Sequence, residues 1–98
     1  MAASAIAVHP EAINDAQQAY QWYRDRNEIA ANAFRSEVER AIDLISKSPR
    51  RWPAYLHGTC RYLLMRFPFG IVYRHTGPSV QILAVAHGRR KPGYWRDR

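Results

Sequence analysis

The strongest constraint on this chain is a change of period at Ser48-Pro49. Before that point apolar residues recur every three or four positions. After it they alternate or run in short blocks of Tyr, Val, Ile, Leu and Phe. The first pattern marks helices with one apolar stripe, the second marks strands. Pro49 supplies the break, because proline disfavours helical geometry in the residue before it.

Upstream, Ile13, Ala16, Ala19, Tyr20 and Tyr23 share one face of a helix of about four turns. His9-Pro10-Glu11 opens it, with proline early and acid in the first turn. Asn27 interrupts the stripe and can cap a second helix. Ile29, Phe34, Val38, Ala41, Ile42 and Ile45 carry that helix to about Lys47. Its exposed side holds Glu37, Glu39, Asp43 and Lys47, the last two spaced for an ion pair. Ile6 and Val8 fit a short opening strand.

Downstream, Cys60–Phe67, Gly70–His75 and Val80–His87 are predicted strands. The turns between them are too short for parallel crossovers, so an antiparallel meander is expected. The predicted fold class is therefore α+β, one domain over residues 1–98. Its order is β-α-α-β-β-β, with the helical hairpin on one face of a mainly antiparallel four-stranded sheet. On the last strand, Val80, Ile82, Ala84 and Ala86 should point one way and Gln81, Leu83, Val85 and His87 the other. Both sets are largely apolar. The second face therefore needs cover from the termini or from a partner.

Charge narrows the function. The net charge is +7 and the pI about 10.2. Residues 1–48 carry five basic and seven acidic side chains, whereas residues 49–98 carry ten basic ones and only Asp97. The positive field belongs to the second half, which is expected to face nucleic acid, an acidic protein or another anionic surface. A 47% apolar composition excludes a disordered chain. No run approaches the roughly 18 apolar residues of a membrane helix. Met1 to Val8 lacks the basic start of a secretion signal, so a cytoplasmic location with no membrane contact is expected. Cys60 is the single cysteine. Neither it nor the four histidines fall in a metal-ligand spacing, so no metal and no cofactor are expected.

The segment Ala86 to Arg98 has the densest chemistry: His87, then Arg89, Arg90, Lys91, Tyr94, Trp95, Arg96 and Arg98. Arginine forks match phosphate oxygens, and aromatic rings stack on bases. The competing account is a solvated basic tail with Tyr94 and Trp95 packed down as anchors. Arg61 and Arg66 lie in or beside an apolar strand, in a half nearly without carboxylates. Arg61 thus suits a phosphate or partner contact. Arg50 and Arg51 extend the basic surface in the loop to Trp52. His87 ends the last strand amid cations, which favour the neutral ring that a general base needs. A histidine merely hydrogen-bonded at a strand end is the alternative.

These residues together resemble a known family. His9-Pro10-Glu11-Ala12, Trp22-Tyr23, Phe34 and Ser48-Pro49-Arg50-Arg51-Trp52-Pro53 are similar to the helical half of RelE/ParE toxins, the plasmid stabilisation proteins. Arg61-Tyr62, Arg66-Phe67-Pro68-Phe69, Ile71-Val72-Tyr73-Arg74, Ile82 to His87 and Arg90-Lys91-Pro92-Gly93-Tyr94-Trp95 continue the match over nearly the whole chain. The resemblance implies the toxin of a bacterial type II toxin–antitoxin system, held in a hetero-oligomer by a cognate antitoxin. RelE-like members cut mRNA on the ribosome without metal. The matching catalytic positions would be Arg61 for phosphate, His87 as acid or base, Arg90 for transition-state charge, and Tyr94 beside them. Arg50, Arg51, Arg66, Arg89, Lys91 and Trp95 would contact the nucleic acid or target. ParE-like members instead bind DNA gyrase, with no chemistry of their own. The loop 50–57 holds no lysine pair of the RelE-like kind, and the His87-plus-basic ending is not the usual gyrase-poison ending. Metal-free, ribosome-dependent mRNA cleavage is the expected activity, because a strand-end histidine amid arginines suits a ribose-phosphate site; a gyrase poison and an inactive antitoxin-binding relative are the alternatives.

Overall fold

The computed structural model describes residues 4–98; residues 1–3, part of the predicted domain and of the segment compared with a secretion signal, lie outside them. The elements are β1 (Ala5–Val8), α1 (Pro10–Arg24), α2 (Glu28–Lys47), β2 (Ala54–Tyr55), β3 (Thr59–Leu63), β4 (Phe69–Thr76) and β5 (Ser79–His87). Both helices start where their capping residues dictate. His9 Nδ1 accepts the Glu11 N–H at 3.1 Å, and Asn27 Oδ1 accepts from the Ile29 and Ala30 N–H groups at 2.9 and 3.2 Å.

The sheet order is β1-β5-β4-β3-β2, with β1 parallel to β5 and every other pair antiparallel. The helices cover one face. There Ala12, Phe34, Val38, Ala41 and Ile45 pack against Ile71, Tyr73, Val80, Ile82 and Val85. This is the predicted two-layer α+β domain, with one correction: the sheet has five strands, not four. The extra strand, β2, is two residues long, too short to carry a period. It folds back on β3 through a tight turn at Leu56–Gly58, where His57 and Gly58 adopt φ of 60° and 73°.

The strand predicted over Cys60–Phe67 also ends early, at Leu63. The backbone N–H groups of Met65 and Arg66 leave the ladder and donate to the Glu37 carboxylate on α2.

A bulge overturns the expected alternation on β5. Val72 pairs with Ala84 but Tyr73 pairs with Ile82, so Leu83 is an extra residue that resets the pleat. Ala84 consequently joins Leu83 and Val72 on the face away from the helices, with Ala86 beside them, instead of sharing a face with Val80 and Ile82. Val85 moves to the helix side. His87 follows it, its ring 4.9 Å from the Phe69 ring in an edge-to-face contact.

The second sheet face is covered by the chain's own tail. Trp95, 1% exposed, packs on Val72, Leu83 and Ala84, with Tyr55 and Tyr94 around it. Full burial of a large apolar side chain contributes about 1.5–3 kcal/mol, so this indole fixes the segment after β5 on the sheet. Among the described residues no helix is long and apolar enough to cross a membrane.

Candidate functional site

The tail is held in place by a polar knot centred on Asp15. This carboxylate lies between Ala12 and Ala19, both buried, on the inward stripe of α1. Its Oδ2 accepts from Val85 N–H at 3.1 Å, from the Tyr94 hydroxyl at 3.2 Å and from Arg98 Nη1 at 2.6 Å. Arg98 Nη2 reaches Oδ1 at 3.2 Å, and Nη1 also donates to the Leu83 carbonyl at 3.0 Å. The pairing of β1 ends at Ile82. The next groups on β5, the Leu83 carbonyl and the Val85 N–H, would be left without partners, and Arg98 and Asp15 take them up.

The knot leaves a cleft of about 330 Å³ open above the sheet. Arg61, His87, Arg90, Lys91 and Tyr94 line it, and Trp95 forms part of its floor. The fold thus brings together all four residues singled out as catalytic, although Arg61 comes from β3 and the rest from β5 and the tail. The Arg61 guanidinium stacks 4.0 Å from the Tyr55 ring centroid, and its methylenes run beside Gly70, where the lack of a side chain makes room. Arg90 stacks 3.9 Å from the Tyr94 ring centroid. The salt bridges of the described residues include none at Arg61, Arg90 or Lys91.

Two of the four are chemically committed. His87 Nδ1 accepts the Arg89 N–H at 3.0 Å. In the neutral ring the proton therefore sits on Nε2, and His87 presents a donor to its surroundings. Tyr94 donates to Asp15, and its hydroxyl pKa is pushed up to about 12, chiefly by burial and then by the Asp15 charge.

The remaining expected contacts scatter. Arg89 is exposed, and its backbone fixes the His87 ring. Arg50 and Arg51 lie on the loop after α2, with Arg51 5.3 Å from the Trp52 ring centroid. Arg51 lines a second groove that meets the first at Arg61. Arg66 is not on the sheet face: it pairs with Glu37 at 3.2 Å, a carboxylate supplied by the acidic half. Trp95 is buried and offers no ring for stacking. Asp15, Glu37 and Tyr55 were not foreseen from the sequence, and Arg98 was foreseen only as one more cation of the tail. Asp15 had a readable signal, since a carboxylate three residues after Ala12 and four before Ala19 falls on the apolar stripe. Among the described residues no His, Cys, Asp and Glu cluster could hold a metal.

The fold and site define a small basic α+β domain whose latched tail borders a cationic cleft. The comparisons give it a family. The profile of the ParE toxin of type II toxin–antitoxin systems (parDE) matches residues 6–92, and the chain belongs to that family. The solved structure "Chromosomal ParDE TA system from P. aeruginosa" shares the fold at a TM-score of 0.75, with 18% identity over 86% of this chain and 95% of that one. A search of curated proteins found no match.

Proposed function

We propose that this ParE-family toxin acts by binding and not by chemistry, with a DNA gyrase complex as its target and the cationic cleft as its contact surface. A cognate antitoxin would neutralise it in the cytoplasm by covering that cleft within a toxin–antitoxin hetero-oligomer. The observation that carries this reading is that neither proton-transfer candidate offers a free base. His87 spends its acceptor nitrogen on Arg89, and Tyr94 spends its hydroxyl on Asp15. What stays available is positive charge, from Arg61, Arg90 and Lys91. Charge steers and holds an anionic surface without making or breaking a bond.

One observation favours a second reading, metal-independent cleavage of mRNA on the ribosome. His87 Nε2–H, Arg61 and Arg90 border one cleft, which would place a hydrogen-bond donor and two cations round a phosphodiester. The deciding experiment runs the purified toxin in two reactions. In gyrase supercoiling with plasmid DNA, accumulated cleaved DNA supports the first reading. In cell-free translation, primer extension that shows ribosome-dependent cuts within codons, with gyrase unaffected, replaces it with the second.

A further inference from the structure

The other side of the His87–Tyr94 wall holds a second concavity of about 500 Å³, inside the range of about 300–1,000 Å³ for small-ligand sites. Its walls are aromatic: Trp22 and Tyr23 from α1, Phe69 from the start of β4, and Tyr94 from the tail. Gln18 adds an amide with both a donor and an acceptor. Trp22 is 52% exposed, and the Arg26 guanidinium lies 3.8 Å from its ring centroid. Asp15 also borders the pocket, but its charge is matched by Arg98. Phe69, His87, Arg90 and Tyr94 line both this pocket and the cationic cleft.

We propose that this pocket takes one unstacked nucleobase of a single-stranded nucleic acid whose phosphates run into the neighbouring cleft. An aromatic pocket opening onto cations is the arrangement by which single strands are held without sequence readout. Base stacking supplies attraction that every nucleobase can make, and Arg90 stands where the pocket gives way to phosphate-binding charge. Each base of a strand brings a phosphate with it, so one wall with aromatic rings on one side and Arg61, Arg90 and Lys91 on the other matches the repeat of the polymer. The gyrase reading is not a premise of this site. A toxin that never touches gyrase could still use it.

Titration calorimetry of the full chain with a short oligoadenylate tests the proposal. The comparison ligands are the same strand with one abasic position, the duplex, and an acidic peptide with one aromatic residue. The single strand should bind, and Trp22→Ala should weaken it about tenfold while leaving the salt dependence of affinity unchanged, because no phosphate contact is lost. Arg90→Ala should instead lower the salt slope by about one. Gln18→Ala, at an exposed position, gives a second variant should Trp22→Ala melt early by circular dichroism. The proposal is overturned if duplex or abasic strand binds as tightly as the intact strand. It is equally overturned if neither Trp22→Ala nor Gln18→Ala changes the affinity, or if the peptide binds more tightly and loses that advantage in Trp22→Ala.

Discussion

Arg98 and Asp15, 83 residues apart in sequence, meet as an ion pair at 2.6 Å with side chains only 13% and 10% exposed. The pair joins α1 to the tail across the edge of β5 beyond its pairing with β1.

Removing one member of such a pair leaves an uncompensated charge away from water, at about 3–5 kcal/mol. Asp15→Ala should therefore cost at least about 3 kcal/mol in urea denaturation, because Val85 N–H and Tyr94 OH lose their acceptor with it. Asp15→Asn should recover part of the loss, since its carbonyl still accepts. A loss below about 1 kcal/mol for Asp15→Ala would mean that the tail is not latched through this residue.

Tyr94 predicts an alkaline effect. Its folded-state pKa of about 12 lies above the ordinary value of 10.0. The folded protein therefore holds this proton more tightly than the unfolded chain does. The resulting stability is complete below pH 10 and is lost as pH rises towards 12. Urea midpoints measured at steps from pH 9 to 11.5 should fall more steeply for the parent than for Tyr94→Phe. Parallel curves would show that Tyr94 does not contribute.

Gly70 makes room for Arg61. A β-carbon there would stand 3.1 Å from Arg61 Cδ and 3.2 Å from both Arg61 Cγ and Leu63 Cδ2. These are side-chain atoms that can swing away, so Gly70→Ala should fold with a loss under about 1 kcal/mol. Its effect should appear in function. With Arg61 displaced from Tyr55, target affinity and growth inhibition should fall towards those of Arg61→Ala. A fully toxic, fully folded Gly70→Ala chain would remove Arg61 from the binding surface.

The Arg66–Glu37 pair should be asymmetric. Arg66 is 65% exposed at its side chain and Glu37 only 10%. Arg66→Ala removes a surface partner and should cost less than about 1 kcal/mol. Glu37→Ala also strips the acceptor from the Met65 and Arg66 N–H groups and should cost about 2 kcal/mol or more. Hydrogen exchange at Met65 and Arg66 should rise in the second variant only.

Much of this molecule was legible residue by residue. Asn27 and Pro49 bound α2 because capping and proline geometry act locally. The β3-β4-β5 meander followed from connections too short to cross over, whereas the place of β1 beside β5 did not. His87, Arg61 and Arg90 could be grouped only through the family resemblance, because nothing local to Arg61 signals that β3 lies near the end of β5. The missing parts depend on contacts distant in sequence. Leu83 looks like any strand residue, and only its partner strand reveals that it is a bulge. Glu37 resembled one more acid on a solvated helix face, and nothing nearby signals the loop it holds. Trp95 had two sequence-level accounts, stacking and anchoring, and the apolar surface of Val72 and Leu83 decides for anchoring.

The pairing of β1 with β5 also sets an order of events in the cell. Ala5 to Val8 are made before every other strand of the sheet, yet their partners Ser79 to Ile82 belong to the strand made last. Contacts so distant along the chain close late and slowly. Until β5 has been made the nascent polypeptide therefore carries the toxin's sequence without the toxin's surface, and Arg61, made before β5, has no finished cleft beside it until the sheet closes.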